Sequence, residues 1–246
     1  MNFKSISRPE AVFFDYGHTL LYETDCDIKR GANELFKHIT RNPGGVTVND
    51  YVNAVDEVYG KAEQIIKNEQ CVISARVCDR VIASLLNIEF DLTPIEQEVM
   101  FWTASANCEA MPQADIMLDH LNSKGIRTGM VTNIIWSGEA MRERLDRLLP
   151  NNRIEFIAAS SDYMFRKPSK VLFDIALNKA GLPPEKVWYC GDNPKADVEG
   201  AAGLGIFPVW YDNDTDSESK DRSYVPQCEH LHVKDWNEMI KILDKL

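Results

Sequence analysis

The chain has 246 residues, 44% of them hydrophobic, with a formal net charge of -11 at pH 7. That is enough apolar material for a sizeable core in one large domain, or in a domain with a smaller lid, and it excludes disorder of the whole. The acidic balance argues against nucleic acid or an anionic membrane surface as partner, since both call for clustered Lys and Arg.

No apolar run approaches the roughly 20 residues that cross a bilayer, and the N-terminus carries no charged-then-apolar leader pattern, so a cytoplasmic protein is expected. Six cysteines (Cys26, Cys71, Cys78, Cys108, Cys190 and Cys228) are scattered without CxxC pairs. That spacing suits reduced thiols better than disulfides or zinc.

In chain order, the first predicted element is a short apolar strand, VFFD, ending at Asp15 and running into Tyr16-Gly17-His18-Thr19-Leu20. From about Tyr22 to Cys108 the pattern reads as helical throughout. Val52, Val55, Tyr59, Ala62 and Ile66 share one helical face, and Val77, Val81, Leu85 and Ile88 another. Thr93-Pro94-Ile95-Glu96 supplies a capping residue, a first-turn proline and a glutamate three places on, which starts a further helix.

Beyond Met111, strands and helices alternate: a helix around 115–122, the strand IRTGMVT, a helix carrying Met141, Leu145, Leu148 and Leu149, and the short strand IEFIAAS. There follow a helix from Ser169 to Ala180 stopped by Gly181, the strand VWYC, a short helix and the strand IFPVW. Such alternation means an α/β fold: a Rossmann-like parallel sheet with helices on both faces. The helical excursion makes a small all-helical cap domain, giving a core of 1–21 and 109–246 and a cap of 22–108. The polar, acidic stretch Asp212 to Arg222 reads as a surface loop.

Four motifs punctuate this order: FFDYGHTL, VTN ending at Asn133, RKPS with Lys167, and GDNPKAD with Asp192 and Asp197. An aspartate at the carboxyl end of a parallel strand stands where open sheets bind ligands. Further carboxylates at the same edge would repel one another unless a hard cation sits among them. Thr132 and Asn133 end a strand where hydroxyl and amide groups can donate to phosphate oxygens. Lys167, before Pro168 and a helix, can bring an ammonium to the same edge. Arg166 is by default a surface residue.

Motifs of this kind in this order resemble the haloacid dehalogenase-like (HAD) hydrolase superfamily, and the resemblance spans nearly the whole chain. It implies that Asp15 is a nucleophile forming an aspartyl-phosphate. It also implies that Asp15, Asp192 and the main-chain carbonyl of Gly17 bind Mg2+ directly, with Asp197 supporting through water or a hydrogen bond and Asn193 as a further helper. Thr132, Asn133 and Lys167 would hold a small phosphorylated metabolite. The helical segment resembles the cap that many members insert after the first motif.

One departure limits the activity this implies. Where phosphatases of the superfamily read D-x-D-G-T, the second aspartate is here Gly17, and a missing general acid/base typically costs about 10²- to 10⁴-fold in rate. His18 is one replacement, since histidine as a residue type can pass a proton near neutral pH. A leaving group able to depart unprotonated, such as an aryl or acyl phosphate, is another way round. Relatives without that aspartate suggest haloacid or phosphonate C–X cleavage. For the latter, Lys29, Lys37, Lys61 and Lys67 are the cap lysines available for a Schiff base. A catalytically silent HAD-fold metabolite-binding protein is the reading from a different class. Tyr22, Tyr51, Trp102 and Trp136 are candidate lining residues with core packing as their competing role, and oligomeric state is unknown from sequence.

Overall fold

A computed structural model describes residues 6–68, 71–213 and 224–246; the side chain of residue 68 is not described. In chain order its strands are β1 Ala11–Phe14, β2 Leu21–Glu23, β3 Ile39–Arg41, β4 Glu89–Phe90, β5 Cys108–Ala110, β6 Arg127–Thr132, β7 Ile157–Ala159, β8 Val187–Gly191, β9 Phe207–Tyr211 and β10 Leu231–Val233. The helices are α1 Ile28–Phe36, α2 Val48–Asn68, α3 Ala75–Leu86, α4 Pro94–Ser105, α5 Ala114–Ser123, α6 Gly138–Leu148, α7 Ser160–Tyr163, α8 Lys170–Ala180, α9 Gly200–Ala202 and α10 Trp236–Leu243. Pro194–Glu199 forms a turn of π-helix ahead of α9.

Six strands make one parallel sheet in the order β10-β9-β8-β1-β6-β7. β1 is wholly buried between β6 and β8, which is why its sequence is continuously apolar rather than alternating. Successive side chains still point to opposite faces. Val12 and Phe14 join Met117, Leu118, Trp236 and Met239 on the face covered by α5 and α10. Ala11 and Phe13 join Leu172, Phe173 and Ala176 of α8 on the other. Helices on both faces of a parallel sheet are thus confirmed. The carboxyl-terminal pair, β10 and α10, extends the alternation beyond the strands that periodicity revealed.

Between β1 and β6 lies the helical insertion, α1 to α4. Helix α4 starts with the expected capping box: the Thr93 main-chain N–H donates to Glu96 at 2.8 Å, and the Thr93 hydroxyl accepts from the Glu96 N–H at 3.4 Å. Within this helical cap the structure adds detail to a reading of helix throughout. β3 and β4 pair antiparallel inside it, and β2 and β5 pair antiparallel where the chain leaves and re-enters the sheet region.

Burial on α3 also differs from the expected face. Ala75, Cys78, Asp79 and Ile82 point inward, whereas Val77, Val81 and Leu85 are exposed, Leu85 at 70%. A polar residue, Asp79, occupies the inward stripe because the hydroxyl of Tyr59 on α2 donates to it at 2.8 Å. Most of the acidic stretch Asp212 to Arg222 lies outside the described residues.

The four aromatic candidates for lining are all structural. Trp102 stacks on Trp136 with ring centroids 5.3 Å apart. Tyr51 packs between Phe36 and Phe90, and the Tyr22 hydroxyl donates to Glu109 at 2.8 Å.

Candidate active site

Three neighbouring strands, β8, β1 and β6, end at the same level of the sheet, and that convergence assembles the site. Phe14 is in register with Cys190 and Met130, so Asp15, Asp192 and Thr132 emerge together at the carboxyl edge. The Asp15 N–H still donates to the Cys190 carbonyl at 2.9 Å, which extends the ladder to the functional residue. Asp15, Tyr16, Gly17, His18, Thr132, Asn133, Lys167, Asp192 and Asp197 line one cavity of about 420 Å³, with Ile66, Lys67 and Arg166 also on its wall.

Lys167 is the hub. Its ammonium is 2.8 Å from Asp15 Oδ1, 2.6 Å from Asp197 Oδ1 and 2.6 Å from the Tyr189 hydroxyl, with only 3% of the residue exposed. Burial works against the charged form, yet the two carboxylates outweigh it and raise the Lys167 pKa above the ordinary lysine range. Burial also raises the Asp197 carboxyl, with Lys167 pulling it down and Asp15 pushing it up. Three carboxylates around one ammonium give the cluster a formal surplus of negative charge.

That surplus is the test for a metal. One oxygen from each of Asp15, Asp192 and Asp197 falls within 4.8 Å of the others. Hard oxygens with only one buried ammonium among them suit a hard divalent cation such as Mg2+. Both oxygens of Asp197 are occupied. Oδ1 accepts from Lys167 and faces the Tyr189 hydroxyl at 3.2 Å, and Oδ2 accepts the Asn193 N–H at 2.9 Å.

Asn133 faces the backbone rather than the cavity centre. Its Nδ2 donates to the Lys167 carbonyl at 2.9 Å and its Oδ1 accepts the Lys167 N–H at 2.7 Å, a two-bond clamp on the segment that presents the lysine. Asn193 Oδ1 accepts from the N–H groups of Lys195 and Ala196 and so caps the π-helical turn that carries Asp197.

His18 has φ 51°, the left-handed conformation that favours glycine, and its carbonyl accepts from Asn213 at 2.6 Å. At Gly17 a Cβ would meet no atom within 4 Å. The backbone there therefore has room for a Cβ.

Tyr189 escaped sequence reasoning. An aromatic residue in a fully buried strand reads as core, and its ring does pack edge-on against Phe173. Its hydroxyl, however, donates to the Val131 carbonyl at 2.7 Å and accepts from Lys167. Among the cap lysines, Lys29, Lys37 and Lys61 do not line the cavity and form ion pairs with Asp56, Glu34 and Glu57. Lys67 reaches the wall while pairing with Glu63 at 2.7 Å.

This parallel sheet, with its acidic cluster and buried lysine at the carboxyl edge, defines a Rossmann-like α/β core with a candidate catalytic site. The chain belongs to the haloacid dehalogenase-like hydrolases, whose family model matches residues 13–210. A phosphoserine phosphatase of Thermus thermophilus is 30% identical over 112 residues, which cover 46% of this chain and 44% of that protein. The matched stretch thus spans about half the length of the curated relatives.

Two solved structures share the fold at 18% identity. A HAD phosphatase from Thermococcus onnurineus superposes with TM-score 0.58 over 95% of this chain and 97% of its own. A 2-haloacid dehalogenase from Pseudomonas syringae gives 0.59 over 96% and 98%. One fold serves both reactions, so the choice between them rests on the site. No helix among the described residues is long and apolar enough to cross a membrane.

Proposed function

We propose that this protein is a Mg2+-dependent phosphatase-type hydrolase acting on a small phosphorylated metabolite. The observation that carries the reading is Lys167 bridging Asp15 and Asp197 beside Asp192, a site rich in carboxylates and able to hold a cation. An attack at carbon with halide departure gains nothing from three clustered carboxylates. Phosphoryl transfer is favoured by them, because a bound cation offsets the charge of nucleophile and phosphate alike. The phosphatase relative supports the same choice.

In this reading Asp15 attacks phosphorus, the bond from phosphorus to the leaving oxygen breaks, and an aspartyl-phosphate forms. Lys167 neutralises charge on Asp15 and on the phosphoryl group, while the Thr132 hydroxyl and nearby main-chain amides hold phosphoryl oxygens. Water then attacks phosphorus, releasing phosphate and regenerating Asp15. Asp15, Asp192 and the Gly17 carbonyl would hold Mg2+, which when bound supplies charge neutralisation, and Asp197 supports the cluster through its hydrogen bonds. Asn133 acts by clamping the Lys167 backbone.

Residues 22–108 serve as the cap and 1–21 with 109–246 as the core; the β2–β5 ribbon falls at that boundary. With no acid at Gly17, the leaving oxygen departs unprotonated or takes its proton from His18, which lines the cavity.

The test is turnover of p-nitrophenyl phosphate, acetyl phosphate and ethyl phosphate with and without Mg2+ on the parent, Asp15→Asn and His18→Ala. Aryl and acyl esters are expected to exceed the alkyl ester by a wide margin, with Mg2+ required and Asp15→Asn inactive. Metabolite binding without Mg2+-dependent turnover would instead identify a binding protein. Unchanged rates in His18→Ala would remove histidine as proton donor.

A further inference from the structure

Arg166 precedes the hub lysine, lines the same cavity and is half-buried. Among the described residues its guanidinium makes one weak hydrogen bond, to the main-chain carbonyl of Ile66 at 3.4 Å in the last turn of α2. Among the described residues no carboxylate forms an ion pair with it. Six other described arginines have one: Arg30 with Asp25, Arg41 with Glu89, Arg76 with Glu98, Arg127 with Glu155, Arg142 with Asp146 and Arg144 with Glu23.

Removing a guanidinium from water without a counter-ion is costly, and burial lowers the Arg166 pKa from the usual arginine value. The position is nonetheless held firmly. Cys71 bridges Phe165, and the Val72 N–H donates to the Met164 carbonyl at 2.7 Å, so the strip after α2 is tied to the loop presenting Arg166 and Lys167. Lys67, the neighbouring cation on the wall, is committed to Glu63. Among the described residues on the cavity wall, Arg166 is therefore a cation with donors to spare, beside the last turn of α2.

A guanidinium fork matches carboxylate and phosphate oxygens in paired hydrogen bonds. We propose that Arg166 is a specificity-determining residue that pairs with a second anionic group, a carboxylate or a second phosphate, on the leaving-group part of the substrate. This rests on the phosphatase reading above, with the transferred phosphoryl group at Asp15 and the rest of the substrate extending towards Ile66 and Arg166. It narrows the substrate class to small dianion-tailed or carboxylate-tailed phosphate esters.

The experiment compares kcat/KM for ethyl phosphate, 2-aminoethyl phosphate, carboxyalkyl phosphates of two to four carbons and an alkanediol bisphosphate, on the parent, Arg166→Gln and Arg166→Lys. The parent is expected to prefer one of the anionic-tailed esters over ethyl phosphate by about 10- to 100-fold, the range of a charge-assisted hydrogen-bonded pair. In Arg166→Gln that preference ratio falls towards one, mostly through KM, and Arg166→Lys restores part of it. Whether carboxylate or bisphosphate gives the larger ratio identifies the second group.

A parent without preference for an anionic tail, or an Arg166→Gln loss equal on every ester, overturns the proposal. The latter is what a purely structural tie to Ile66 would give. Equilibrium binding of the same esters to Asp15→Asn separates the two readings. If no ester is turned over by the parent, yet Asp15→Asn binds the anionic-tailed probes more tightly than Asp15→Asn/Arg166→Gln does, the phosphatase reading fails and the role of Arg166 stands.

Discussion

Asp197 occupies the space that a side chain on Gly191 would need: a Cβ there would stand 2.6 Å from the Asp197 Cβ and closer still to its carboxylate. Glycine at the end of β8 is what allows the π-helical turn to fold Asp197 back beneath Lys167. Gly191→Ala must therefore displace Asp197 or the strand end, at a cost of about 1–3 kcal/mol for overpacking. The expected outcome is a modest loss in urea-unfolding stability and a far larger loss of phosphatase turnover, because Lys167 loses one of its two carboxylate partners. Full activity in Gly191→Ala would show that Asp197 does not govern the position of the lysine.

At Gly17 the situation is reversed. No atom lies within 4 Å of an added Cβ, and the residue is not among the glycines with positive φ. Gly17→Asp is expected to fold with an unchanged thermal midpoint and to gain turnover on ethyl phosphate, since general acid/base assistance is worth about 10²- to 10⁴-fold. The gain on p-nitrophenyl phosphate should be small, its leaving group needing no proton. Equal gains on both esters would refute the account of leaving-group dependence.

How much of this was legible in the sequence follows from what each residue does. Asp15, Thr132 and Asp192 are readable because each ends an apolar run that must be a strand, and parallel strands bring their carboxyl ends to one edge. Lys167 is marked by the proline and helix start after it. Tyr189 and Arg166 were not readable: an aromatic in a buried strand and a cation in a loop are by default core and surface, and only three-dimensional neighbours reveal otherwise. The outward face of α3 misleads in the opposite sense. Val77, Val81 and Leu85 carry the periodic apolar signal, while Asp79 faces in because Tyr59 supplies its hydrogen bond.

That buried aspartate has a measurable signature. Burial raises the Asp79 pKa from 3.8 to about 7, against the pull of the Tyr59 hydrogen bond. Because the folded state holds the proton more tightly than the unfolded chain, the stabilisation is fully present below about pH 4 and is lost as pH rises through about 7. Three pKa units correspond to roughly 4 kcal/mol. Urea unfolding between pH 4 and 8 should show the parent losing stability in that window relative to Asp79→Asn, which keeps an oxygen to accept from Tyr59. Parallel curves for the two proteins would mean that Asp79 does not titrate in the folded state.

Glu98 on α4 ties the helical insertion to the core through a carboxylate with no exposed surface. It accepts from the Ser137 N–H and the Ser137 hydroxyl at 2.6 Å each and from Arg76 Nε at 2.7 Å. Ser137 is itself the N-cap of α6, its side chain accepting the Ala140 N–H, so one carboxylate joins α3, α4 and the start of α6. Glu98→Ala would strand a buried N–H and a hydroxyl, at about 1–3 kcal/mol for each unsatisfied group, and leave the partly exposed Arg76 with Glu139 alone. The loss should be local as well as global. Hydrogen exchange of the amides at the start of α6 and along α4 is expected to rise by more than that of β1 or β6, whose protection comes from the sheet. Uniform deprotection across all elements would instead mean that insertion and sheet unfold as one cooperative unit, with Glu98 no more than a contributor to the whole.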